Sequence, residues 1–198
     1  MGSIFPIIYD YFMKPVEKSK MGEIRKDLLK EARGNVLEIG AGTGLNFPHY
    51  HDRVSSVDAV EPNTAMVNYA FENGKQAKPI IRFHDAVAER LPFKEHRFET
   101  VVGTLVFCTI PEPKRAVKEI ERVAKPGAKV ILFEHVKMEQ EWMAFTQKAV
   151  TPLWKRLCDG CHLDRETLKL VKESKIKIDC VEDYFGGLFV TIIGHLPE

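Results

Sequence analysis

Asn35-Val36-Leu37-Glu38-Ile39-Gly40-Ala41-Gly42-Thr43-Gly44 decides how the chain is read: an apolar run of strand length passes directly into a turn carrying three glycines. Glycines permit positive φ, and they let a ligand approach the main chain where any Cβ would stand in the way. The turn is expected to open a helix whose first N–H groups lack partners within the helix. Such a loop cradles a nucleotide-like ligand. A dinucleotide fingerprint, GxGxxG, needs its third glycine at position 45, but that residue is Leu45 and the third glycine comes one place early, at Gly44. NAD or FAD is therefore the weaker fit. A phosphate-gripping P-loop is excluded because no GK[ST] follows.

Outward from this loop, short β-rich runs alternate with helical stretches. Strands are expected over 36–39, 54–60, 80–83, 100–106, 129–134, 176–183 and 188–195, and helices over 15–33, 63–73, 113–124, 138–157 and 165–173. In the first helix Ile24, Leu28 and Leu29 recur at helical spacing among lysines and glutamates, and Gly34 stops it. Lys125-Pro126-Gly127 marks a turn ahead of the fifth strand, and Phe185-Gly186-Gly187 joins the last two as a hairpin. The expected fold is α/β: a doubly wound, mainly parallel seven-stranded sheet with its last strand antiparallel and helices on both faces. One domain is expected over residues 1–198, with 1–33 as an N-terminal helical lid or cap and 137–164 as a helical insertion after the fifth strand.

Composition narrows the role. Hydrophobic residues at 44% and charged residues at 29% of 198 are ordinary for one globular domain. Lys plus Arg number 29 against 28 Asp plus Glu, and they are scattered rather than striped, so a nucleic-acid partner is disfavoured. Ile4-Phe5-Pro6-Ile7-Ile8-Tyr9 is broken by proline and followed by Asp10, well short of the roughly 18 apolar residues of a membrane span. No transmembrane segment and no secretion signal is read, and the cytoplasm is the expected compartment. Of the four cysteines, Cys158 and Cys161 make the one CxxC, with no second pair or spaced histidines to complete a metal set. Reduced thiols and no metal are expected.

Glu61 closes the second strand roughly 20 residues past the loop, where a carboxylate accepts hydrogen bonds from ribose hydroxyls. Together with VLEIGAGTG at 36–44, VDAVEPN at 57–63, AERLPF at 88–93, FETVVGTLVFCTI at 98–110 and AVKEIERVAKPGAKVILFEH at 116–135, it makes the chain resemble the class I, seven-stranded S-adenosylmethionine-dependent methyltransferases. The resemblance implies that Gly40, Ala41, Gly42 and Gly44 lie against the methionine and ribose of the cofactor. Glu38 would help hold its amino group through water, and Glu61 would take both ribose hydroxyls. Pro62, Asn63 and Met66 would border the adenine. Relatives often carry an acid where this chain has Val87, so adenine recognition would fall on the Ala88 backbone, with Asp85 as a substitute. Thr104 and Leu105, with Val106, would supply backbone near the methionine, and S-adenosylhomocysteine would be the product. Tyr9, Tyr11 and Phe12 are candidates to close over the sulfonium, for which an aromatic face is favourable.

The acceptor is read from the end of the fourth strand. Relatives that methylate bases carry [DN]PP[YF] there, whereas this chain has Thr104-Leu105-Val106-Phe107, so a small-molecule methyl acceptor is expected. AERLPF and the Lys125-Pro126-Gly127 turn resemble the methyltransferases of quinone biosynthesis and of phospholipid amines. FEHV at 133–136 and Asp159-Gly160-Cys161-His162-Leu163-Asp164-Arg165-Glu166-Thr167 resemble instead the microsomal alkyl-thiol methyltransferases. A thiol, with a pKa of about 8.5, needs little help to ionise. His135, where ligands gather in open α/β sheets, is the candidate catalytic base, ahead of His49 and His162. Cys161 is expected to pack in its turn. The alternatives are a quinone or phospholipid-amine acceptor, or a cofactor-binding module without turnover.

Overall fold

The structure, a computed structural model, describes residues 20–158 and 160–198. Tyr9, Tyr11, Phe12 and most of the segment expected to form a lid lie outside the described residues. Seven strands form one sheet in the order β3-β2-β1-β4-β5-β7-β6: β1 (Gly34–Ile39), β2 (Val54–Val60), β3 (Ile80–His84), β4 (Phe98–Thr104), β5 (Ala124–His135), β6 (Lys177–Tyr184) and β7 (Phe189–His195). The pairs from β3 through to β5 are parallel, while β7 runs antiparallel to both β5 and β6. From β1 the chain winds outward through β2 and β3, then returns to lay β4 on the other side of β1. The carboxyl ends of β1 and β4 thus flank the switch point at which open sheets of this kind bind ligands.

Side chains alternate across the sheet as strand geometry requires. Leu37, Val101, Val130 and Leu132 enter one core cluster; Val36, Val102, Ile131 and Phe133 enter the other. The described helices are α1 (Lys20–Leu29), α2 (Thr64–Gly74), α3 (Pro113–Val123), α4 (Glu141–Leu157) and α5 (Thr167–Lys172). Helix α1 brings Ile24, Leu28 and Leu29 to the second cluster, and α3 brings Ala116, Val117, Ile120 and Val123 to the first. Full burial of each Val or Ile contributes roughly 1.5–3 kcal/mol, enough to fix which face each helix covers.

Three expectations are corrected. The glycine loop opens no α-helix: a three-residue 3-10 turn, Phe47–His49, follows instead. Pro48 stands in it, and Asn46 spends its side chain on Arg25 and Glu38 rather than on a helix cap. β4 stops at Thr104 rather than 106, because Leu105 turns to φ +55° and the Val106 and Phe107 N–H groups donate to the Glu134 carboxylate. The Lys125-Pro126-Gly127 turn lies inside β5. Ala124 pairs with Phe98 and Lys129 with Thr100, so the residues between loop out as a bulge around Gly127, at φ +69°.

Candidate functional site

At the switch point the three loop glycines have separate physical duties. All have positive φ. A Cβ on Gly40 would lie 2.2 Å from a Val106 methyl, and one on Gly44 would lie 2.7 Å from the Phe47 ring, so both positions are fixed by packing. A Cβ on Gly42 would meet nothing nearer than the Gly40 carbonyl at 4.0 Å. Gly42 is the loop position that faces open space.

Glu61, buried at the end of β2, accepts from Gly42 N–H through Oε2 (2.9 Å) and from Asn63 N–H through Oε1 (2.9 Å). A carboxylate oxygen carries two lone pairs, so a main-chain hydrogen bond to it does not by itself preclude one from a ligand hydroxyl. Asn63 caps α2 by accepting from Ala65 N–H, and its buried Nδ2 has no partner; the buried Thr43 Oγ1 has none either. Orphaned polar atoms of this kind beside a glycine loop fit a polar ligand. Met66 and Ala88 are buried, whereas Pro62, Asp85 and Val87 are exposed at the rim.

Glu38 is fully enclosed. Its carboxylate accepts from Tyr50 OH (2.7 Å) and from Asn46 Nδ2 (3.0 Å). Burial pushes its pKa up to about 7, against the downward pull of these bonds and of the Arg25 charge. Arg25, 2% exposed, donates to Asn46 Oδ1 (2.6 Å) and to Thr104 Oγ1 (2.9 Å). This buried guanidinium ties α1 to the ends of β1 and β4. Its sequence context does not single it out, although it stands three and four residues before Leu28 and Leu29 on the buried helix face.

The other side of β4 carries a second constellation. His135, the last residue of β5 and half-buried, has Nε2 3.0 Å from Cys161 Sγ. Cys108, Cys161 and His135 place their sulfur and nitrogen atoms within 4.8 Å of one another. A hydrogen bond with Cys108 and then the contacts with His135 bring the Cys161 thiol down to about 5, although burial opposes them. The Cys108 thiol is pushed up by that same bond, by burial and by Glu134. Burial works to lower the His135 imidazole, but the contacts with Cys161 outweigh it and leave it raised. Burial likewise raises Glu134 to about 7.

The segment after α4 reaches this place because it is tied back to the loop after β4. His162 N–H donates to Cys108 O (2.9 Å), Arg165 Nη2 to Ile110 O (2.9 Å), and Lys137 N–H to Arg165 O (3.0 Å). Cys158, the other half of the CxxC, is outside the cluster. His162 lines an open cavity of about 410 Å³ with Pro113, Asp164, Arg165 and Lys169, and His49 lies in the 3-10 turn. Among the three candidate histidines, His135 is brought to a thiol.

A doubly wound sheet with a glycine loop and a buried carboxylate at its switch point fits the class of nucleotide-cofactor α/β proteins. Within it, a methyltransferase domain family matches residues 37–132. The thiol S-methyltransferase TMT1B of Rattus norvegicus is 32% identical over 168 residues, spanning 79% of this chain and 68% of that protein. The phosphatidylethanolamine N-methyltransferase of Cereibacter sphaeroides is 29% identical over 186 residues, 92% of this chain and 89% of that protein. Among solved structures, the geranyl diphosphate C-methyltransferase of Streptomyces coelicolor, in complex with S-adenosylhomocysteine, superposes with a TM-score of 0.70 at 16% identity, covering 90% of this chain and 79% of that one. The chain belongs to the S-adenosylmethionine-dependent methyltransferases, and S-adenosylmethionine is its methyl donor.

Proposed function

We propose that the protein transfers the methyl group to the sulfur of a small-molecule thiol. The observation that carries this reading is the convergence of FEHV and the DGC turn, the two segments that resemble alkyl-thiol methyltransferases, at His135 and Cys161 beside the end of β4. The identity to a thiol S-methyltransferase supports it.

Gly42, Glu61, Asn63 and Thr43 hold the cofactor, with Gly40, Ala41, Gly44, Pro62, Met66, Asp85, Val87 and Ala88 around them. Glu38 and Arg25 keep the ends of β1 and β4 in place, where Thr104 and Leu105 present backbone. When bound, the cofactor supplies an electrophilic methyl on a sulfonium. The acceptor thiol releases its proton to solvent, its sulfur forms a bond to the methyl carbon, and the sulfonium bond breaks with its electron pair left on S-adenosylhomocysteine. Position and exclusion of water account for most of the rate, and His135 contributes to ionising the acceptor. Four free cysteines suit a reducing compartment, which supports a cytoplasmic activity; among the described residues no helix is long and apolar enough to cross a membrane.

The test is incubation with methyl-labelled S-adenosylmethionine and a matched panel of alkyl thiols, quinols, phenols and amines, with phosphatidylethanolamine vesicles as a further acceptor. Labelled thioether is expected. Label confined to the lipid amine would favour the second reading, which the 89% coverage of the phosphatidylethanolamine enzyme supports.

A further inference from the structure

Cys108, His135 and Cys161 come from three different parts of the fold: the loop after β4, the end of β5 and the turn after α4. Their ligand atoms are nevertheless gathered within 4.8 Å. A tetrahedral zinc ion, with Zn–S about 2.3 Å and Zn–N about 2.0 Å, spaces its ligand atoms roughly 3.5–3.8 Å apart. The 3.0 Å between His135 Nε2 and Cys161 Sγ needs to open by only about half an ångström to match.

The fold holds the three residues in place, in addition to their contacts with one another. The Cys161 turn is pinned by His162 N–H on Cys108 O and by Arg165 Nη2 on Ile110 O. Cys108 is pinned by its own loop, whose Val106 and Phe107 N–H groups are gripped by Glu134. The imidazole presents Nε2 to the thiols, while its buried Nδ1 and the buried Glu134 Oε2 have no hydrogen-bond partner. When a metal holds one imidazole nitrogen, the other is a donor that seeks a carboxylate or water. Packing alone accounts for two adjacent thiols, whereas an imidazole nitrogen set 3.0 Å from one of them completes a ligand set of two sulfurs and one nitrogen.

We propose that Cys108, His135 and Cys161 form a binding site for a soft divalent cation of the zinc class, whose fourth coordination position takes the sulfur of the acceptor. Two thiolates and one imidazole match such an ion, and three protein ligands with an open position are the pattern of catalytic rather than structural zinc. The fourth ligand rests on the thiol reading above; the three protein ligands stand on geometry. His135 then contributes to ionising the acceptor as a metal ligand. A thiol loses its proton to solvent on coordination, and the bound sulfur uses a lone pair to form the bond to the methyl carbon. The cofactor's sulfonium bond breaks onto S-adenosylhomocysteine, and the thioether product, a poorer ligand than a thiolate, leaves. No redox change occurs at the metal. The Arg165 guanidinium, tied to Cys108 O and Ile110 O, offsets the negative charge of a third thiolate.

Cobalt(II) serves as the probe. The full chain, reduced and stripped of metal with a chelator, should show a thiolate-to-cobalt charge-transfer band that saturates at one equivalent and disappears on adding zinc. Cys108→Ser, Cys161→Ser and His135→Gln should each weaken cobalt binding by at least about 100-fold, beyond the usual loss from an outer-shell partner. Cys158→Ser and Cys180→Ser should leave it intact. Unchanged far-ultraviolet circular dichroism and S-adenosylmethionine affinity show that the ligand variants are folded. An alkyl thiol added without cofactor should shift the band, and an alcohol of the same size should not. A wild-type chain with no saturable band, a band that survives loss of Cys161, or a band indifferent to thiols overturns the proposal. None of these readouts requires methyl transfer, so failure to methylate any thiol sinks the acceptor reading separately. Full thiol methylation by metal-free protein sinks the metal's role and spares that reading.

Discussion

At Gly42, conformation and ligand access make the same demand. Its φ is +56°, and the space where a Cβ would point is open, whereas Gly40 and Gly44 are glycines because Val106 and Phe47 crowd them. Gly42→Val places a β-branched residue in the left-handed region at about 1–2 kcal/mol, a modest fraction of a typical stability of about 5–15 kcal/mol. The variant should therefore fold, with a cooperative melt, yet lose S-adenosylmethionine affinity by at least about 100-fold in isothermal titration, because its side chain fills the open space. An unchanged affinity would move the cofactor's seat elsewhere. Glu38 yields a pH prediction. Burial raises its folded pKa to about 7 from 4.5, so the folded chain holds that proton more tightly than the unfolded one. Its contribution to stability is fully present below the unfolded value and is lost as pH rises through the folded one, a change on the order of 3 kcal/mol. Glu38→Gln does not titrate. The difference in unfolding free energy between variant and wild type should therefore move in the variant's favour by about that amount between pH 4.5 and 7. Denaturant curves at a series of pH values test this; a flat difference would show that Glu38 does not titrate there.

At the level of elements, what was legible in the sequence was whatever depends on neighbours along the chain. β2 occupies 54–60 as its apolar run indicates, and α3 ends one residue short of expectation. Where an end is set by a partner distant in sequence, spacing misplaces it. The apolar pattern of 100–106 continues past Thr104, but the strand does not, because Glu134 on the next strand captures two N–H groups. The glycine loop was legible as a turn at the end of β1, yet not the absence of an α-helix after it, since the competing partners of Asn46 sit on α1 and β1. Arg25 shares the helix face of Leu28 and Leu29, and Asn46 and Thr104, brought up by the fold, supply polar partners for a charge buried there. Cysteine spacing likewise drew the eye to Cys158 and Cys161, whereas the partners Cys161 has in space are Cys108 and His135. Nothing in a single chain's periodicity marks that meeting, because it requires the segment after α4 to fold back across two strand ends.

Across the whole molecule the winding of the sheet separates two groups of residues, to which the proposed function gives different tasks. The glycine loop, Glu61 and Asn63 stand on β1 and β2 to one side of the switch point, while His135, Cys161 and Arg165 stand on β5 and the segment beyond it, to the other. The two sides meet at the end of β4, over Thr104 and the turn that follows. Arg165 belongs wholly to the second side: its guanidinium donates to Ile110 O, and its buried Nε has no partner. Arg165→Ala should therefore leave S-adenosylmethionine affinity within about twofold, since none of its hydrogen bonds reaches the glycine loop. It should lower kcat/KM for the acceptor by at least about tenfold, or roughly 1.4 kcal/mol of transition-state stabilisation, by freeing the turn that carries Cys161. Isothermal titration of the cofactor beside steady-state kinetics with a saturating methyl donor reads the two effects apart. Equal losses in both would mean that the β4 edge behaves as one cooperative unit, and that the division of labour drawn from the topology does not extend to the energetics.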